Sequence, residues 1–319
     1  MSSKALVLPS PADLASLVER AKEYAADARA NSTRKAYESD FRAFEQWCSV
    51  QGLVAMPASP AAVAVYLTHL ADGGRKVATI ERALTGIVHA HRSRGVDWPR
   101  AHPAIANVMA GIRRHVGTAP AQKAPVVDEL LAAMLSTLDE DLRGHRDRAL
   151  LTLGWSGAFR RSELVALTVA DVARSSDGLI VTVRRSKGDQ EGRGAEKGIP
   201  YASRAALCAV RSLDTWLGAA AITEGPLFRY IDRHGRVHAE ALSDRSVARI
   251  VQRTAERAGL DPATVGGHSL RAGFATTAAK RGKSLDAIMR QTLHKSERVA
   301  RTYIRHAKLF DDNAAVGLL

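Results

Sequence analysis

The sequence predicts a mainly α-helical protein of two domains, with a small β-sheet confined to the second. Three observations predict it. Apolar residues recur at helical spacing through the first 115 residues; a stretch with no apolar period, VGTAPAQKAP at 116–125, interrupts them; and beyond it the alternating segment GLIVTVRR at 178–185 is followed by a glycine-rich loop and by GIPY at 198–201, which can pair back as a hairpin. At 319 residues the chain is long enough for each domain to bury its own core.

The elements follow in order. A first helix opens near Ala12, with Leu14, Leu17, Val18, Ala21, Tyr24, Ala25 and Ala28 on one face. Tyr37, Phe41, Phe44 and Cys48 mark a second. Ser59 and Pro60 make a cap and a first helical position for a third, which runs to Leu70 and stops at Gly73-Gly74. A fourth carries Thr79, Ile80, Ala83, Leu84, Ile87, Val88 and His91, and a fifth runs from Pro103 to His115. These five read as a helical bundle over 1–115, with 116–125 as linker and 126–319 as a mixed second domain. In that domain helices are expected around 128–138 and 146–155, then the hairpin, and helix again to the end of the chain.

Lys plus Arg number 46 against 33 Asp plus Glu, a net charge of +13. The surplus is shared: 15 against 10 over residues 1–118, and 31 against 23 beyond. Such a field suits a polyanion, nucleic acid first. Cys48 and Cys208 are far apart and belong to no Cys or Cys/His cluster, so neither a disulfide framework nor a zinc site is expected. Neither a secretory leader nor a membrane span is read, and a soluble, cytoplasmic, nucleoid-associated protein is the expectation.

Four segments carry chemistry. GAFRRSELVAL at 157–167 sets Arg160 and Glu163 three residues apart, where a carboxylate can orient a guanidinium. GGHSLRAGFATTAAKRG at 266–282 places His268 and Arg271 one turn apart, with Leu270, Phe274 and Ala278 as the face toward the core. Lys187 lies at the tip of the hairpin. TLHKSERVARTYIRH at 292–306 holds His294 and Tyr303 among basic residues. On one unbroken helix those two would stand about 13 Å apart; with Ser296 as an N-cap and the helix starting at Glu297, His294 is left in the preceding loop and can fold back. Taken singly each segment has an ordinary structural reading: a surface ion pair, a chance HxxR, an exposed lysine, a solvated basic face.

Taken together and in this order, Arg160, Lys187, His268-x-x-Arg271, His294 and Tyr303 resemble the active site of the tyrosine recombinases, the phage integrase family, over nearly the whole chain. GHSLRAGFATTAAKRG, IMRQ and YIRH are most like the Cre-type members. The resemblance implies a helical core-binding domain and an α+β catalytic domain that clamp double-stranded DNA at an inverted-repeat core site. It also implies a homotetramer on two sites, linked by exchange of the C-terminal tail, and activity with no cofactor and no metal ion. Arg160 and Arg271 are then expected to clamp the scissile phosphate, with Glu163 orienting Arg160, and His294 to donate a further hydrogen bond. His268 is expected to take the proton of Tyr303, whose phenol titrates near ~10, and Lys187 to protonate the leaving 5′ oxygen. Arg160 is preferred to Arg161 because it stands three residues before Glu163. Leu293 departs from the family, which commonly has glycine there. A type IB topoisomerase and an inactive DNA-binding regulator of the same fold are the alternatives.

Overall fold

The computed structural model of the protein describes residues 11–118, 123–186, 189 and 192–307. The chain divides into two compact units, residues 1–121 and 122–319. Lys187 and the tail from 308 onward lie outside the described residues.

The first unit is built from α1 (Pro11–Asp27), α2 (Asn31–Gln51), α3 (Pro60–Asp72), α4 (Val77–Arg92) and α5 (Pro103–Val116). Ser59 caps α3 by accepting from the Ala62 amide, and Pro60 occupies the position where a missing N–H costs nothing. Phe41, Phe44, Cys48, Leu67, Ile80, Ile87 and Ile105 close the core. His91 is buried in it with both ring nitrogens used: Nε2 accepts from the Ala58 amide and Nδ1 donates to the Ile87 carbonyl. One expectation changes here. The periodic face of α1 is not part of this core, because Leu14, Leu17, Val18 and Tyr24 are between 46% and 67% exposed. Helices α2 to α5 already seal the core, and α1 is supported along its own surface by Glu19–Lys22 and Arg20–Tyr24 contacts.

The second unit opens with α6 (Asp128–Ser136), α7 (Leu142–Ser156) and the short α8 (Arg161–Ala166). Then come β1 (Val172–Ser175), β2 (Gly178–Val183) and β3 (Ala195–Pro200), an antiparallel sheet in that order. The expected hairpin is β2–β3, with Val181 opposite Lys197 and Leu179 opposite Ile199. After α9 (Ala209–Ala219) the chain is not helical throughout. A second hairpin, β4 (Arg229–Ile231) and β5 (Val237–Ala241), precedes α10 (Asp244–Arg257), α11 (Ser269–Lys280), α12 (Leu285–Thr292) and α13 (Glu297–Ala307). Strands β1, β4 and β5 are short and hold at most one buried residue each, so they carry no apolar alternation to read; pairing makes them strands.

Helix α11 runs through the middle of this unit. The expected apolar face of Leu270, Phe274 and Ala278 is not the buried one: Leu270 is buried, but Phe274 and Ala278 are only half-buried, while Ser269, Arg271, Ala272, Ala275, Thr276 and Ala279 are buried. Residues 123–126, the last of the expected linker and the residue after it, pack against it, with the Val126 amide donating to the Ser269 carbonyl and Ala124 to Thr264. Cys48 and Cys208 are both buried and free. Among the described residues no helix is long and apolar enough to cross a membrane.

Candidate active site

Arg160 enters the site from a constrained turn. At the end of α7, Gly157 and Ala158 reverse the chain, and Ala158 takes a left-handed conformation with φ 46° although it has a side chain. Arg160 is not on a helical face, as the spacing alone implied, but is the N-cap of α8. Glu163, buried at the third position of that helix, accepts from the Arg160 amide at 2.9 Å and from its Nη1 at 2.5 Å. The carboxylate thus fixes both backbone and guanidinium of one residue. Arg161 turns away to pair with Asp244 at 3.1 Å and is half exposed, which separates the two neighbouring arginines.

His268 and Arg271 come from the first turn of α11. Arg271 is 0% exposed, and its Nη1 donates to the Ala158 carbonyl at 2.9 Å. Its Nε and Nη2 are buried with no hydrogen-bond partner among the described residues. Leaving charged donors unmet costs on the order of 1–3 kcal/mol or more, so a fork held this way suits an anionic oxygen. Burial, with Arg160 beside it, lowers its pKa to about 10.

Tyr303 reaches the same point from α13, its ring against Ala275, Ala279 and Ile288. Its Oη lies 2.9 Å from His268 Nε2. Burial raises the phenol above its ordinary value while Arg271 and Arg160 pull it down. Burial and the same two arginines hold His268 below the usual histidine range, hence neutral near pH 7 and able to accept a proton.

His294 does fold back: α13 begins at Glu297, and the His294 and Tyr303 rings stack with centroids 6.0 Å apart. The turn is made by Leu293 at φ 51°, ψ 42°, the left-handed conformation glycine takes most easily. Thr292 Oγ1 commits its one proton to the Ile288 carbonyl at 2.7 Å, so its 2.9 Å contact with His294 is assigned as Nδ1–H donating to Oγ1. The neutral ring therefore presents Nε2 as an acceptor. Burial first, then Arg271, Arg160, His268 and Lys197, lower its pKa to about 3.

The structure thus brings together Arg160, Glu163, His268, Arg271, His294 and Tyr303 from three of the four segments. Lys187 lies outside the described residues; its neighbour Ser186 and Asp189 line, with Leu293, His294 and Lys295, a cavity of about 720 Å³. Sequence reasoning missed Lys197, which is buried against the same groups. The signal was there: β3 alternates, and an inward Ile199 places Lys197 inward too. Among the described residues no three His, Cys, Asp or Glu side chains are grouped as metal ligands.

Residues 126–309 match the phage integrase family. The chain is 42% identical to an integrase/recombinase xerD homolog of Selenomonas ruminantium, over 92% of this chain and 87% of that protein. It is 24% identical to recombinase cre of Escherichia phage P1, over 83% of this chain and 81% of that protein. Its fold resembles that of the XerH site-specific recombinase bound to palindromic difH substrate in a post-cleavage complex, with a TM-score of 0.60 at 20% identity, covering 82% of this chain and 72% of that one.

Proposed function

The chain belongs to the phage integrase family, the tyrosine recombinases, and from its place among these site-specific DNA recombinases we propose which residues break and rejoin the strand and how. Tyr303 Oη attacks the scissile phosphorus as His268 Nε2 takes its proton. The bond to the 5′ oxygen breaks, leaving a 3′-phosphotyrosine and a 5′-hydroxyl. One phosphoester replaces another, so a 5′-hydroxyl from a partner strand can reverse the step. Lys187 supplies the proton to the leaving oxygen. That Ser186 and His294 line one cavity supports this placement of the hairpin loop.

The observation that carries the reading is the 2.9 Å contact of Tyr303 with His268 beside an Arg271 whose Nε and Nη2 are unmet. Arg271 and Arg160 clamp the non-bridging oxygens as charge grows on them. The charge these arginines supply is what a metal would otherwise provide, and the step needs none. His294 becomes a second donor to those oxygens on taking a proton at Nε2. Its neighbours oppose that proton in the free protein, and the phosphodiester's negative charge favours it.

Residues 1–115 serve as the core-binding domain and 126–319 as the catalytic domain, joined by the linker 116–125 and clamping a duplex. The net charge of +13 supports this, as does a basic cavity of about 490 Å³ in the first unit where Arg29, Arg34, Arg92 and Arg100 converge around Tyr37. The palindromic substrate of the XerH complex supports an inverted-repeat core site. Four protomers on two such sites are tied by their C-terminal tails, each docking on the next subunit. An apolar groove of about 410 Å³ in the second unit, between Trp155, Tyr201, Phe274, Ala278 and Ile288, supports a receiving surface.

A duplex nicked near the cut site, which traps the intermediate, tests the chemistry. Tyr303→Phe is expected to bind this DNA like the parent and to form no covalent adduct, since phenylalanine keeps the ring packing and lacks the oxygen. An adduct on the phenylalanine variant overturns the assignment.

A further inference from the structure

Lys197 is 1% exposed on an apolar sheet face, an unusual place for an ammonium. Its Nζ donates to the Gly157 carbonyl at 2.6 Å and to the Gln291 carbonyl at 2.7 Å, and stands 4.5 Å from the centre of the Phe159 ring. These three partners lie on two of the three segments that deliver the proposed phosphate-binding groups, the third being α11 with Arg271. Gly157 and Phe159 lead into Arg160. Gln291 precedes Thr292, which holds His294 by its Nδ1.

We propose that Lys197 is a positioning residue for strand cleavage: its ammonium fastens the turn before Arg160 and the end of α12 before His294 to the inner face of β3, setting both in one frame. This rests on the recombinase reading of the site. Four observations converge on it. The adjacent carbonyls of Gly157 and Ala158 are taken by Lys197 and Arg271 respectively, so the turn with Ala158 at φ 46° is gripped from two sides; a strained turn persists only where its surroundings hold it. Gln291 repeats the link from the opposite direction, its Nε2 donating to the carbonyls of Ser156 at 2.8 Å and Gly198 at 3.0 Å. Strand β3 is also the exit of the loop containing Lys187, so the same side chain ties that loop's base to the site. Finally, the position is costly to keep. Burial, then Arg271 and Arg160, lower the lysine to about 7 against the pull of Glu163. An apolar side chain of similar length would fill the space at no such cost.

The test uses the full-length protein and the nicked duplex, with Lys197→Met and Lys197→Gln. Methionine keeps volume and offers no donor; glutamine returns N–H donors to the carbonyls but buries an amide. Both variants are expected to bind the duplex within about threefold of the parent, because the lysine touches no DNA. At saturating DNA, adduct formation in a single turnover is expected to fall roughly a hundredfold for methionine, and by about tenfold for glutamine, as a misplaced phosphate clamp would give. The rates should then run opposite to thermal stability, with methionine the more stable and the slower variant. Methionine cleaving within about threefold of the parent, or rates that follow stability, overturns the proposal. If Lys197→Met shows no cooperative melting, Lys197→Gln decides alone, and a rate within about threefold of the parent overturns it. A parent that forms no adduct overturns the Tyr303 assignment itself, a result distinct from either.

Discussion

Leu293 shows what a single backbone conformation does to this site. It caps α12 in the left-handed region and turns the chain so that the His294 ring lies along that of Tyr303. The conformation costs a non-glycine residue roughly 1–2 kcal/mol, and the side chain recovers part of this by packing against the core of the second unit. Leu293→Gly is therefore expected to change stability by no more than about 1 kcal/mol, strain relief offsetting lost packing, and to keep the cleavage rate. Leu293→Ile is expected to slow cleavage about a hundredfold, since a β-branched residue resists φ > 0 and would drag His294 from its place. Rates on the nicked duplex for the two variants check this, and equal rates would sink it. At this scale the sequence was legible where residue types recur in an ordered set, as for Arg160, His268, Arg271 and Tyr303. Lys197 was missed although its alternation with Ile199 carries the signal, because a lysine in a strand reads as solvent-facing when taken alone.

Among the elements, α11 matters most, because it supplies His268 and Arg271 and is buried on nearly every side. Gly273 allows that. A Cβ there would lie 1.7 Å from the Val126 carbonyl oxygen, a backbone atom that has no rotamer to escape into. Alanine's better helix propensity, worth under ~1 kcal/mol, cannot compensate for pushing residues 124–126 off the helix. Gly273→Ala is expected to destabilise the protein by about 2–3 kcal/mol, read as a lower urea midpoint with unchanged slope. A midpoint equal to the parent's would contradict the close approach. The five helices of the first unit and the β2–β3 hairpin were legible because each carries its own periodic apolar face and its own stop signals. Strands β1, β4 and β5 were not, since three to five residues with at most one of them buried hold no period. The same limit explains α1: periodicity reports that a face is apolar, and the tertiary structure alone decides whether this protomer covers it.

For the molecule as a whole, the tail bears most directly on assembly. Helix α13 carries Tyr303 and packs against α11 and α12, and the chain leaves it at 307 toward a segment, AKLFDDNAAVGLL at 307–319, in which Phe310, Ala314 and Leu318 fall at helical spacing. A helix so short is marginal in water unless its apolar face docks. The proposed occupant of the groove between Trp155 and Ile288 is that tail from a second copy, and a tail so held would pull on the helix that carries the proposed nucleophile, Tyr303. On this proposal, assembly and cleavage are coupled through one continuous stretch of chain. Deleting residues 309–319 is expected to leave binding of one protomer to a half-site within about threefold of the full chain, since the basic residues that meet DNA remain. It is expected to abolish the tetrameric complex on two sites and recombination between them. Gel-shift titration on a half-site, set beside an excision assay on a two-site substrate, separates the two effects. A truncated protein that still assembles four protomers on two sites removes the tail from the interface, and the groove must then be explained without it.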